Sequence, residues 1–130
     1  MERMESRLFD VLPALVSAPG ATIPLGSIAC KLIDLVEAVH KTTHILLDVK
    51  PDNIMVSTAS SKVKLSSSTL ADLLRLVDFG TSKSIGGVHG HKPNDGTKQV
   101  QGTPLYASLH VHALQTPSRR DDLESVLYVI

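Results

Sequence analysis

Apolar residues in the first forty positions recur at three- and four-residue steps, which collects them on one face of a helix. In ESRLFDVLPALVS, residues 5 to 17, the stripe runs through Leu8, Val11, Leu12 and Leu15. It predicts a short helix, bent near Pro13 because proline lacks the N–H and crowds the preceding turn, and ended by the SAPG that follows. A stronger stripe runs through Ile28, Leu32, Leu35, Val36 and Val39, with Thr22 as its predicted N-cap and Pro24 in its first turn. Cys30 lies inside this helix and reads as a small buried side chain, since no basic cluster stands beside it to stabilise a thiolate.

The period then changes. Pro51 disfavours helix at Lys50 and removes a backbone donor, so DVKPDN is predicted to be a loop. Ile54 to Val56 and Leu74 to Phe79 read as short strands rich in branched residues. The Ser-rich tract between them, residues 57 to 73, reads as an extended hairpin connection. Residues 86 to 100 have the Gly, Pro and Asn content of a long exposed loop. In SRRDDLESVLYVI helical spacing returns through Leu123, Val126, Leu127 and Ile130. The expected class is α+β.

Composition narrows the functions. The 13 basic and 13 acidic side chains cancel, so no bulk positive field exists to bind a phosphate backbone, and nucleic acid is not expected as partner. One cysteine excludes an internal disulfide and any multi-cysteine metal site. No apolar run approaches the roughly 18 residues of a membrane span, and the N-terminus lacks the order of a signal peptide. The expected location is cytoplasmic or nuclear. His40 and His44 have a spacing that can bind zinc, as His89 with His91 and His110 with His112 raise the same question, but no third ligand is evident and structural roles are expected.

The chemistry concentrates in HILLDVKPDNIMV, residues 44 to 56. Phosphoryl transfer requires an aligned acceptor hydroxyl, a held triphosphate, and Mg²⁺ or basic groups to spread charge. Asp48 and Asn53 fit D-x-x-x-x-N, in which the Asp orients the acceptor proton and the Asn holds a metal ion, and Lys50 between them is placed to meet the phosphate. Asp78-Phe79-Gly80 follows a predicted strand, where the Asp can chelate Mg²⁺ and the Gly permits a sharp turn. Each motif alone is weak. Their order gains weight from two later blocks, GTPLYAS at 102 to 108 and SRRDDLES at 118 to 125.

Together these four blocks resemble the protein kinase fold, and more narrowly the casein kinase 1 group with its tau-tubulin and vaccinia-related relatives. In that group a GTxxYxS stretch follows the activation loop, and Gly102, Thr103, Tyr106, Ala107 and Ser108 match it, with His112 where a His is frequent. The resemblance implies that Asp48 is the catalytic Asp, Lys50 the phosphate-contacting Lys, and Asn53 and Asp78 the metal ligands, with ATP and Mg²⁺ as cofactors. It implies that Thr103 hydrogen-bonds into the catalytic loop, and that Asp122 accepts backbone N–H bonds from it. Met55 would form the floor under adenine and Met1 to Met4 the linker beside it, though an ordinary core or terminus accounts for them equally. Arg119 and Arg120 would form an anion site beside the substrate groove, or else pair within RRDD. Residues 81 to 101 would be the activation loop.

Two departures qualify these implications. Leu46 and Leu47 stand where the family pattern usually has His and Arg, so an activation-loop phosphate has no arginine to pair with here, while Leu46 keeps an apolar partner for Phe79. The sequence also contains no glycine-rich phosphate loop and no strand Lys with its Glu partner. The expectation is a partial kinase domain over residues 1 to 130, a mainly α-helical C-lobe fragment with a small β-hairpin and without an N-lobe. It would be Ser/Thr kinase-like in the parent enzyme and inactive alone, with its last helix uncovered and available for association. The competing expectation is a non-catalytic pseudokinase-type module that binds protein partners. A nucleotide hydrolase is weaker, because no G-x-x-x-x-G-K loop exists.

Overall fold

The computed structural model describes residues 4–17, 20, 22–57, 69–87 and 90–130, so Met1, His89, and residues 58–68 of the Ser-rich tract lie outside the described residues. Helices and small antiparallel sheets mix, as expected for an α+β chain. The elements in order are β1 (Met4–Arg7), α1 (Leu8–Val16), α2 (Leu25–His40), β2 (His44–Ile45), β3 (Ile54–Ser57) and β4 (Leu74–Leu76). There follow β5 (Lys83–Ser84), β6 (Gly86–Gly87), β7 (Gly90–His91), α3 (Leu109–His112) and α4 (Arg119–Val129).

Helix α2 forms the centre. Ile28, Leu32 and Val36, each four residues apart, are buried on one face. They join Leu8, Leu46, Val49, Ile54, Val56, Leu70, Leu74, Val126 and Val129 in one core, so α2 is covered by the sheet on one side and by α4 on the other. Its predicted start is displaced: the first helical residue is Leu25, and Pro24 precedes the helix as its N-cap with a non-helical ψ of 62°. Cys30 is exposed, contrary to expectation. Two residues beyond Ile28 is about 200° around a helix, which turns Cys30 away from the buried stripe.

Strands β1, β3 and β4 form an antiparallel sheet in that order. β1 corrects the sequence reading, which began the first helix at Glu5. Ser6 pairs with Val56 and Arg7 with Met55, so the chain is extended until Leu8. A strand of four residues with one bulge carries too little alternation to be seen beside the stronger helical stripe that follows it. β4 is also shorter than predicted: Val77, Asp78 and Phe79 leave the sheet, and the Val77 N–H donates to Asn53 O at 3.0 Å. A second pair, β2 with β5, ties the start of residues 81 to 101 to the loop after α2 and buries a small cluster of Ile45, Leu47 and Ile85. β6 pairs with β7, and beyond them residues 92–96, 98 and 99 are exposed while Thr97, Val100 and Gln101 are half-buried.

Helix α4 packs through a face that periodicity alone misassigns. Its buried residues are Asp121, Asp122, Ser125, Val126 and Val129, whereas Leu123, Leu127, Tyr128 and Ile130 are exposed, Leu127 by 68%. A polar stripe is buried because the loops it meets offer backbone donors and hydroxyls. Leu32→Ala, in the fully buried centre of α2, should lower the unfolding free energy by about 2–5 kcal/mol. Cys30→Ser should change it by no more than about 0.5 kcal/mol; urea denaturation of both variants checks the contrast.

Candidate active site

The loop from Leu46 to Asn53 is held from below by α4. Asp122 is buried, and its carboxylate accepts the N–H of Leu46 on Oδ2 and that of Leu47 on Oδ1, both at 2.8 Å. His40 Nε2, at the end of α2, lies 2.8 Å from the same Oδ2. The carboxylate can only accept, so Nε2 carries the proton in this contact. Leu47 is thereby fixed at φ 68°, a left-handed conformation that a leucine adopts only under constraint. Its side chain enters the Ile45–Ile85 cluster instead of reaching solvent.

From above the loop is held by residues 102 and 103. Thr103 donates twice to Asp48 Oδ1, through its backbone N–H at 2.9 Å and its hydroxyl at 2.6 Å. The same hydroxyl accepts from Lys50 Nζ at 3.0 Å, and Nζ lies 2.7 Å from Asp48 Oδ2. Asn53 Nδ2 donates to Asp48 O at 2.9 Å and, more weakly, to Oδ2 at 3.3 Å. Asp48, Lys50, Asn53 and Thr103 are thus one hydrogen-bonded cluster. Burial opposes ionisation of Asp48, but hydrogen bonds from Lys50 and Thr103 and the charge of Lys50 outweigh it, and its pKa falls below the ordinary 3.8. The hydrogen bond to Asp48 is the main cause that raises Lys50 above 10.5, against partial desolvation and with help from the charges of Asp48, Asp52 and Asp78.

Asp78 is exposed, at φ 60°, with Oδ1 accepting the Gly80 N–H at 3.1 Å. It follows the residue whose amide bonds Asn53, so the two expected metal ligands come from adjoining backbone. Among the described residues Asn53 Oδ1 and Asp78 Oδ2 have no hydrogen-bond partner, and no cluster of three His, Cys, Asp or Glu side chains exists. Two such oxygens suit a hard divalent cation that completes its shell with water and phosphate oxygens. Met55 is half-buried on the sheet face opposite Ile54 and Val56, since alternate strand residues point to opposite faces. Phe79 is 49% exposed, and Leu46 is buried in the main core. Thr81 donates its hydroxyl to Leu46 O at 3.0 Å.

Arg119 and Arg120 are not brought together. Arg119 reaches His40 O at 3.3 Å, and Arg120 contacts His110 Nε2. Among the described residues neither pairs with Asp121 or Asp122, because Asp121 is taken by Ser108 and Ser118 and Asp122 by the loop and His40. Arg120 does line an open cavity of about 300 Å³ with Lys83, Lys92 and His110. His44 Nδ1 contacts Thr42 O and His112 Nε2 contacts Pro104 O, so both imidazoles serve local backbone. Sequence spacing gave no signal for the His40–Asp122 contact, whose members lie 82 residues apart.

No family model matches this chain. It is 35% identical over 107 residues to casein kinase I homolog 3 of Schizosaccharomyces pombe, a match that covers 81% of this chain and 23% of that protein. The chain therefore spans about a quarter of the length of this curated relative, and the resemblance read from the four motif blocks is borne out.

Asp122→Ala leaves two buried backbone donors and His40 without their acceptor and should cost roughly 3 kcal/mol in denaturant unfolding. Arg7→Ala, which breaks an exposed ion pair to Asp52, should cost less than about 1 kcal/mol. Because the folded pKa of Asp48 is depressed, its contribution is present above 3.8 and lost as pH falls through the folded value. Lys50 is raised, so its contribution is present below 10.5 and lost as pH rises through its folded value. Acid titration of stability should accordingly show the unaltered chain losing more on going below 3.8 than Asp48→Asn does.

Proposed function

The chain is a relative of casein kinase I, and on that premise we propose that Asp48, Lys50, Asn53, Thr103 and Asp78 form the acceptor and metal side of a Ser/Thr protein kinase site. The observation that carries this reading is the closed cluster in which Thr103 bridges Asp48 Oδ1 and Lys50 Nζ. In this reading Asp48 orients a protein hydroxyl toward the γ-phosphate of ATP. Lys50 turns from Asp48 Oδ2 to the phosphate, which frees that oxygen for the hydroxyl proton. Asn53 Oδ1 and Asp78 would hold Mg²⁺, whose charge would neutralise the phosphates when bound. Met55 lies under adenine, and Phe79 and Gly80 set the turn that presents Asp78. Leu47, buried against Ile45 and Ile85, ties the segment from residue 81 onward without a phosphorylated residue.

The glycine-rich loop and strand Lys that would grip the triphosphate are not among these 130 residues. The parent enzyme is proposed to supply them, to act in the cytoplasm or nucleus, and to take protein substrates. The chain by itself is proposed to have little or no transferase activity. A second reading, a non-catalytic module that binds a protein partner, is favoured by one observation: Leu105, Leu109, Leu123, Leu127 and Tyr128 are all exposed, Leu105 by 78%.

Two measurements separate the readings. Phosphorylation of a protein substrate by the purified chain should be near background, and substantial activity abolished by Asp48→Asn would overturn the proposed inactivity. Thermal unfolding should shift upward with ATP only when Mg²⁺ is present, and Asp78→Ala should remove the shift; no shift in the unaltered chain would leave the binding-module reading.

A further inference from the structure

We propose that Gly102 is a positioning residue for this site: its lack of a side chain lets the segment bearing Thr103 lie against the Leu47 carbonyl, where Thr103 can reach Asp48. The proposal rests on the kinase reading only for the meaning of Asp48; the contact stands on geometry. A Cβ at Gly102 would lie 1.9 Å from Leu47 O and 3.0 Å from Leu47 C, far inside van der Waals contact and against backbone. Gly102 also has φ 75°, in the left-handed region that side chains disfavour.

One of the two strands of chain would have to give. Leu47 is held by its own N–H and that of Leu46 on buried Asp122, and by its side chain against Ile45 and Ile85. The other side is held less firmly: Gln101 makes side-chain contacts to Gln99 and Lys83 at an exposed surface, and the Thr103 carbonyl accepts the amides of Tyr106 and Ala107 from a short turn whose Pro104 and Leu105 are exposed. A side chain at 102 therefore displaces the 102–103 segment, and Thr103 loses Asp48 Oδ1 and Lys50 Nζ together. Asp48 keeps its backbone place but loses two of the donors that fix its carboxylate rotamer.

Gly96 supplies an internal control. Its φ is 77°, yet a Cβ there would stand 3.1 Å from Leu114 O, a contact that a shift of a few tenths of an ångström relieves. Backbone strain is thus matched between the two glycines, and only the steric encounter differs.

Amide hydrogen exchange resolved by residue reads this directly in the ligand-free chain, so its failure and that of the kinase reading are distinguishable. Three variants are compared: Gly102→Ala, Gly96→Ala and Thr103→Val. Gly102→Ala should speed exchange of the Thr103 amide by roughly tenfold or more while the Leu46 and Leu47 amides stay protected by Asp122. Gly96→Ala should leave all three amides as they are, and Thr103→Val should fold and lose only the hydroxyl contacts. Unchanged Thr103 protection in Gly102→Ala would overturn the proposal, as would equal loss at Thr103, Leu46 and Leu47. Failure of Gly102→Ala to fold where Thr103→Val folds would also overturn it, since Gly102 would then serve the whole fold.

Discussion

The fold's candidate chemistry depends on one buried carboxylate. Asp122 projects from α4 into the loop after α2, where two consecutive backbone amides and the His40 imidazole converge on its two oxygens. A carboxylate without such partners would not be tolerated there, since burial of an unpaired charge costs several kcal/mol. With three donors it is satisfied, and each hydrogen bond to a charged acceptor contributes on the order of 1.5–3 kcal/mol. The result is a rigid point linking α2, α4 and the loop, from which the Leu47 conformation and hence the Asp48 direction follow.

The second restraint comes from the opposite side and from a distant part of the sequence. Thr103 is 55 residues from Asp48, yet its amide and hydroxyl fix one carboxylate oxygen, while Lys50 and Asn53 address the other. Two independent anchors restrict the side chain far more than either alone, and preorganisation of this kind is what positions a group for reaction. The lysine pairs with Asp48, so its charge is compensated within the cluster.

Much of this was legible in the sequence. D-x-x-x-x-N spacing pointed to Asp48, Lys50 and Asn53, which the structure brings together, and the stripe of α2 located the core, because both depend on residues close in sequence. Features set by tertiary contacts were not legible. β1 exists because its partner β3 lies some fifty residues on, and its own residues alternate too briefly to announce it. In α4 the apolar spacing pointed to Leu123, Val126, Leu127 and Ile130; Val126 is buried, but the other three are exposed, because the segments above α4 present amides, a hydroxyl and a carbonyl that bury Asp121, Asp122 and Ser125 instead. Arg119 and Arg120, adjacent in sequence, are sent to different partners by the helix turn between them. The role of Gly102 was invisible until the Leu47 carbonyl was seen beside it.

The Asp48 loop and Asp78 are proposed to form one metal–nucleotide site. Paramagnetic broadening of assigned amide resonances on adding Mn²⁺ with ATP tests it most directly. The account predicts broadening centred on Asn53 and Asp78, spreading to Lys50 and Gly80 and absent when Mn²⁺ is added without nucleotide at the same concentration. Broadening centred elsewhere in the described chain, or none at concentrations of ATP that saturate a weak site, would contradict it.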